Sequence, residues 1–240
     1  MAAAVLSWCA KPLARWRVGR LNRLSHACYA QKRYDESLAA AVSACELARA
    51  QLGDESAAHA RALLHLAGVY AAMRRHNEAA QTLAQCEELA CRRHGDDALE
   101  HVPICHAKAE VFETAGKYAE ATAALERVRE LRLEALGRGH ISCAWSAFNL
   151  AGLVVRRAND TIIMSARQRA ELAGRAVDLA IDAAETADAA GEREQGDEFA
   201  QAILDTILTG GWPNRLAQQR ACAESAARLQ QWLDARGVAG

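Results

Sequence analysis

Proline is rare in this chain, with 3 residues in 240, and aromatic residues make up only 5%. An all-β protein needs frequent turn residues between strands, so this scarcity argues against that class. No stretch approaches the ~18 consecutive apolar residues that a membrane-spanning helix requires. The alanine-rich composition, 51% hydrophobic and 25% charged, instead favours helix. We therefore expect an all-α protein without a transmembrane segment.

Acidic residues are missing from the first 34 positions, which contain seven Lys and Arg residues. Because the net charge is -1, the remainder of the chain carries -8. A total near zero argues against a nucleic-acid partner. The basic start has two interpretations: an organellar import segment, or a docking arm for an acidic surface. We assign residues 1–19 to this arm and expect a helix broken near Pro12. We favour a mitochondrial protein with an uncleaved or barely trimmed start, and keep a cytoplasmic location as the alternative.

Motifs that would carry chemistry are also missing. The 8 cysteines form no Cys-x-x-Cys pair, which predicts free thiols in a reducing compartment. The cysteines and histidines between Cys86 and His106 lack the paired spacing of a four-ligand zinc site, and His101, just before Pro103, fits a linker better. No nucleophile elbow, phosphate-binding glycine loop or His-Glu-x-x-His motif occurs. We expect no catalytic residues, no metal and no cofactor, and hence no enzyme.

A step of 42 residues organises the chain from Leu24 to Val154. It separates the members of six columns: Tyr34, His76 and Tyr118; Gly53, Gly95 and Gly137; Cys28, Tyr70, Phe112 and Val154; Leu24, Leu66 and Leu150, with Lys108 departing; Ser37, Ala79 and Ala121; Glu46, Glu88 and Glu130. Apolar stripes at helical spacing predict two helices per unit, with the glycine column ending the second helix. A lone helix pair cannot bury both faces, so the units must stack.

The motifs of these units resemble the tetratricopeptide repeat. The segment Leu63–Tyr70 followed by His76-Asn77-Glu78-Ala79 carries the likeness, and so does Gly116–Ala121. The 42-residue step and the ending Leu136-Gly137-Arg138-Gly139-His140 are similar to the kinesin-light-chain variety, as are Asn22 and Asn149 on first helices. The resemblance covers about residues 20–155. It implies a right-handed α-solenoid of helix-turn-helix repeats, which we place at residues 20–190.

The pattern changes after Val154. Residues 155–164 replace the turn and predict a longer linker. A long helix is expected from Ser165, its N-cap, to Ala190, with Gly191 ending it. Two further helices, about 193–208 and 215–236, are divided by Thr209-Gly210-Gly211-Trp212-Pro213, because Gly-Gly and Pro prevent a continuous helix. Residues 191–240 are therefore predicted to form a C-terminal capping pair.

The resemblance also implies a function, since first helices in this family line a concave face that holds a partner protein. Carried over by position, the partner-binding groove comprises Asn22, His26, Tyr29, His65, Gly68, His106, Glu110, Asn149 and Arg156. We expect a non-enzymatic interaction scaffold, a subunit of a larger assembly. The alternative is a transient peptide or cargo adaptor of the kinesin-light-chain type.

Overall fold

All regular structure in the described part of the chain is helical, which confirms the all-α prediction. The computed structural model describes the backbone of residues 2–160, 164–209 and 216–238. In chain order the helices are α1 (Ala2–Ala30), α2 (Tyr34–Leu52), α3 (Ala57–Ala72), α4 (His76–His94), α5 (Val102–Thr114), α6 (Tyr118–Leu136), α7 (Ile141–Asp160), α8 (Ala166–Ala189), α9 (Arg193–Thr209) and α10 (Leu216–Ala235). A turn of 3-10 helix, Leu99–His101, precedes α5. The chain forms two compact units, residues 1–117 and 118–240, so the division falls inside the predicted repeat region.

Helix α1 joins the basic arm to the first repeat without interruption. It runs from Ala2 to Ala30 with Pro12 inside it, so the expected break near Pro12 is wrong. Pro12 is exposed, and water can there satisfy the carbonyl that the ring leaves without a donor. Ala14 and Val18, within the proposed arm, are 1% and 3% exposed. The arm is therefore continuous in structure with the repeat that follows it.

The hairpin turns repeat with the 42-residue step. Lys32, Arg74 and Gly116 occupy the left-handed region, with φ of 60°, 57° and 74°. In each turn the amide of the residue after the left-handed one donates to the carbonyl five positions earlier. The three hydrogen bonds are Arg33 N to Cys28 O (2.9 Å), Arg75 N to Tyr70 O (2.9 Å) and Lys117 N to Phe112 O (2.8 Å). This is the Schellman ending of a helix. The prediction that Gly53, Gly95 and Gly137 end the second helices is confirmed, since each has positive φ.

Replacing Arg74 with glycine should stabilise the protein. The left-handed region costs a residue with a Cβ about 1–2 kcal/mol. Glycine avoids this steric cost but loses more chain entropy on folding, so the net gain is only part of it. Arg74→Gly should therefore raise the free energy of unfolding by about 0.5–1 kcal/mol, measured by urea titration. Arg75→Gly, one residue later at φ -86°, is the control and should destabilise. A neutral or destabilising Arg74→Gly would contradict the prediction.

The core of unit 1 is built from α1 to α5. Its buried residues include Val18, Leu63, Val69, Leu83 and Val111. The leucine column does not behave uniformly: Leu66 is buried at 8% exposure, whereas Leu24 is 53% exposed. Lys108, which stands where the column otherwise has leucine, forms an ion pair with Glu87.

Unit 2 departs from the predicted linker after Val154. Helix α7 continues to Asp160, so the expected long linker at 155–164 is wrong over its first six residues, and residues 161–163 lie outside the described part. Val154, Val155 and Ala158 are buried because they extend the apolar face of α7 that packs on α8. The fully buried Arg169 of α8 donates from Nη1 to Ala158 O at 2.8 Å, which satisfies a carbonyl of the last turn of α7.

The C-terminal helices follow the predicted boundaries closely. Ser165 caps α8 through a capping box with Gln168, as expected, and Gly191 has φ 84°. The predicted Thr209–Pro213 break lies largely outside the described residues. Helices α8, α9 and α10 pack on one another around Val177, Ile203 and Leu229. None of the described helices has the length and apolarity needed to cross a bilayer.

Candidate partner-binding groove

The groove residues predicted in unit 1 lie on the first helices α1, α3 and α5. Asn22, His26 and Tyr29 follow one another at i, i+4 and i+7 on α1, which places them on one side of that helix. Tyr29 is exposed and meets Tyr34 edge-on, with ring centroids 5.9 Å apart, so it lies at the tip of the first hairpin. Gly68 of α3 faces open space. The prediction that these positions bind a partner stays a prediction.

His26 and His65 come together although 39 residues separate them. Their rings stack with centroids 3.8 Å apart and an interplanar angle of 26°. His65 Nε2 lies 2.7 Å from Ser25 Oγ. Ser25 and Ser37 are both fully buried and tie α1 to α2 through reciprocal bonds, Ser25 Oγ to Ser37 O at 2.8 Å and Ser37 Oγ to Ser25 O at 2.9 Å.

This network indicates the tautomer of His65. With the Ser25 hydroxyl donating to the Ser37 carbonyl at 2.8 Å, its oxygen is left to accept from His65 Nε2, so the proton is assigned to that nitrogen. Burial, and secondarily the neighbouring His26, lowers the pKa of His65 to about 4. His65 is therefore neutral at physiological pH, with Nδ1 as its acceptor atom.

Acid should destabilise the protein through His65. Its pKa is about 4 when folded and about 6.5 when unfolded, so the unfolded chain binds more protons between these values. The free energy of unfolding should fall as the pH drops from about 6.5 to about 4, by about 1–2 kcal/mol after allowing for the partly exposed ring. Urea titrations at about pH 7 and pH 4.5 on wild type and His65→Gln isolate this effect. Equal pH dependence in the two proteins would contradict it.

Asn22 lines a basic cleft that sequence inspection missed. The cleft encloses about 540 Å³ between α1 and the start of α3, and its polar walls are Lys11, Arg15, Asn22, Ser56 and Arg61. Asn22 Oδ1 is buried and has no hydrogen-bond donor among the described residues. Lys11, Arg15 and Asn22, at i, i+4 and i+11, already shared a helix side in the sequence. Arg61 could be added only by the fold.

The predicted groove residues His106 and Glu110, and the linker residue His101, do not line this cleft. On α5, His106 is partly buried and Glu110 exposed. The buried His101 points its Nε2 at Gly95 O, 2.8 Å away, and Cys91 Sγ lies 4.0 Å from the same nitrogen. His101 thus closes the linker after α4, as the interpretation before Pro103 expected. Among the described residues no cluster of three potential metal ligands occurs.

In unit 2 the predicted residues Asn149 and Arg156 lie on one side of α7. Trp145 and Gly152 share that side, because the order Trp145, Asn149, Gly152, Arg156 has the spacing i, i+4, i+7 and i+11. Asn149 is partly buried, and the Arg156 side chain folds over Gly152, with Nη1 3.2 Å from the position of an added Cβ. Trp145 is 41% exposed and packs edge-on against Phe199 at 4.6 Å. Sequence reasoning missed Trp145, which the spacing to Asn149 could have indicated. It provides a rigid aromatic surface of the kind enriched in interfaces.

Two segments match models of the tetratricopeptide repeat, residues 18–92 and 106–142. No curated protein sequence matches the chain. Among solved structures, BtubC (BKLC) from P. vanneervenii is similar at a TM-score of 0.57 and 14% identity, covering 89% of each chain. A putative kinesin light chain with nearly identical TPR-like repeats from Podosopora anserina gives 0.55 and 17%, covering 80% of this chain and 95% of that one.

The chain contains tetratricopeptide repeats at residues 18–92 and 106–142. The matched segments contain the three repeated turns and most members of the 42-residue columns, whereas Gly95, Leu150 and Val154 lie outside them. The similarity to the kinesin-light-chain structures, at these low identities, concerns the fold. Tetratricopeptide repeats serve protein interaction, so the coarse function is that of an interaction scaffold.

Proposed function

We propose that the protein is a non-enzymatic scaffold that holds an extended segment of a partner protein along the first helices of its repeats, as a subunit of a larger assembly. The observation that carries this proposal is the cleft around Asn22. A partner N–H would satisfy Asn22 Oδ1, which is otherwise buried without a donor, an arrangement that costs about 1–3 kcal/mol. The cations Lys11, Arg15 and Arg61 would bind a carboxylate of the same segment. The preferred partner is therefore an extended, acidic stretch of chain.

Removing both groove amides should weaken partner binding without unfolding the protein. In Asn22→Ala/Asn149→Ala the free energy of unfolding should stay within about 1 kcal/mol of wild type, because neither residue is in a core and Asn22 loses an unsatisfied acceptor. Affinity for an acidic extended peptide, taken from a peptide array and measured by fluorescence anisotropy, should fall about tenfold or more. Asn77→Ala, on the second helix α4, is the control and should bind normally.

Two outcomes would contradict this. A large loss of stability in the double variant would assign the two amides a structural role. Unchanged affinity would place binding elsewhere on the molecule. Leu66→Ala should behave in the opposite way, destabilising by about 2–5 kcal/mol through a cavity in the core.

The alternative is a transient peptide adaptor, which the similarity to kinesin-light-chain structures favours. Purification of the protein from its native source at high salt separates the two. Co-elution with a large complex supports the subunit, whereas a free protein with micromolar peptide affinity supports the adaptor.

We also propose a mitochondrial location, supported by residues 1–19, which contain Lys11, Arg15 and Arg17 and no acidic residue. Ala14 and Val18 contribute to the buried part of the first repeat, so complete removal of the arm would open that core, which favours an uncleaved start. A reporter fused to residues 1–20 tests this. A reporter that remains cytosolic would leave the docking-arm interpretation.

A further inference from the structure

The outer face of α1, defined as Leu13, Trp16, Arg20, Leu24 and Ala27, is exposed and, apart from Arg20, apolar. Leu13, Trp16 and Leu24 have exposures of 57%, 55% and 53%. The five residues follow one another at i, i+3, i+7, i+11 and i+14, so they form one stripe along the helix. The stripe lies on the side of α1 away from Asn22 and His26 and is independent of the groove proposed above.

The repeat shows what shape of partner this face accepts. One step later along the chain, Arg20, Leu24 and Ala27 become Ala62, Leu66 and Val69, which are 0%, 8% and 0% exposed. Helix α3 packs against α2 before it and α4 after it, whereas α1, among the described helices, packs against α2 and α3. The stripe is thus the position that a preceding second helix covers in the next repeat.

The charges on and beside the stripe indicate the chemistry of that partner. Arg17, Arg20 and Arg23 are exposed, and none pairs with a carboxylate of the described residues. The Arg20 guanidinium instead lies over the Trp16 ring, 5.8 Å from its centroid. Two copies joined face to face through this stripe would oppose like charges, which disfavours a symmetric dimer.

We infer that the outer face of α1 docks an acidic amphipathic helix of a partner protein. The partner's apolar side would cover Leu13, Trp16 and Leu24, and its carboxylates would pair with Arg17, Arg20 and Arg23. Because these pairs lie at an exposed rim, binding is sensitive to salt. The site is a second docking surface in addition to the groove.

A designed peptide tests the inference on the full-length chain. The probe is a fluorescein-labelled amphipathic helix of about 20 residues with leucines along one stripe and glutamates beside it. It should bind the wild type with a Kd on the order of 10 μM at low salt and weaken about tenfold or more with Leu24→Ser or with Arg17→Glu/Arg20→Glu. A peptide with lysine in place of glutamate should restore binding to the charge-reversed variant. Leu208→Ser, at another exposed leucine (62%), should bind the original peptide normally.

Three results would overturn the inference. Equal peptide binding by wild type and Leu24→Ser would remove the stripe from the interaction. Binding to phosphatidylserine vesicles without binding to the peptide would assign the face to a lipid surface. A concentration-dependent dimer that Leu24→Ser abolishes, with no peptide binding, would assign it to a second copy of the chain.

Discussion

Gly196→Ala is expected to lower the free energy of unfolding by about 2–3 kcal/mol, because α9 touches the backbone of α8 at this residue. A Cβ on Gly196 would lie 2.8 Å from Ala184 O, 3.0 Å from Ala184 Cα and 3.1 Å from Ala187 Cβ. The first two atoms belong to the backbone and cannot turn away as a side chain would, so the helices must separate. The loss already includes the offset of about 1 kcal/mol by which alanine favours helix over glycine.

The matched control is Gly174→Ala in the interior of α8. Nothing lies within 4 Å of a Cβ added there, so only the helix propensity changes and the protein should gain about 0.5–1 kcal/mol. Urea titrations followed by circular dichroism compare the two variants. Equal effects of the two substitutions would mean that α8 and α9 are not in close contact at Gly196.

Arg236→Met should destabilise unit 2 by about 2–3 kcal/mol, since it leaves Asp188 without its bidentate partner and Asp197 with only the longer pair to Arg193, at 3.8 Å. Arg236 donates from Nη1 and Nη2 to the two oxygens of Asp188, at 2.6 and 2.7 Å, and from Nε to Asp197 at 2.5 Å. Its side chain is only 15% exposed, and its guanidinium lies over Trp232. The bidentate pair holds the pKa of Asp188 below its ordinary value. Methionine keeps an unbranched side chain of similar length and removes the guanidinium, with its charge, its hydrogen-bond donors and its contact with Trp232.

The comparison variant is Arg228→Met, which breaks the pair with Asp178. That pair is exposed, with side chains 56% and 62% accessible, and such pairs contribute less than about 0.5–1 kcal/mol. Hydrogen exchange at the end of α10 should accelerate in Arg236→Met and not in Arg228→Met. Equal behaviour would show that the Arg236 network does not anchor the C-terminus.

Most of the turns and helix ends were determined by the sequence alone, although α7 continues six residues past its expected end and α1 is not broken at Pro12. Glycines at 53, 95 and 137 end helices, Ser165 begins one, and the hairpin turns recur at the 42-residue step. These features depend on φ preferences and on hydrogen bonds between residues within six positions of each other, so local sequence contains the information. The same holds for the side of α1 that carries Asn22 and His26.

Only the tertiary structure decided which members of a column are covered. Leu24 and Leu66 are the same residue at the same repeat position, yet one is exposed and the other buried, because burial depends on whether another helix lies beside it. The cleft likewise needs Arg61 from α3 beside Asn22 of α1, and Arg236 meets Asp188 across 48 positions. A sequence pattern specifies which face a residue occupies. Packing alone brings a second element to that face.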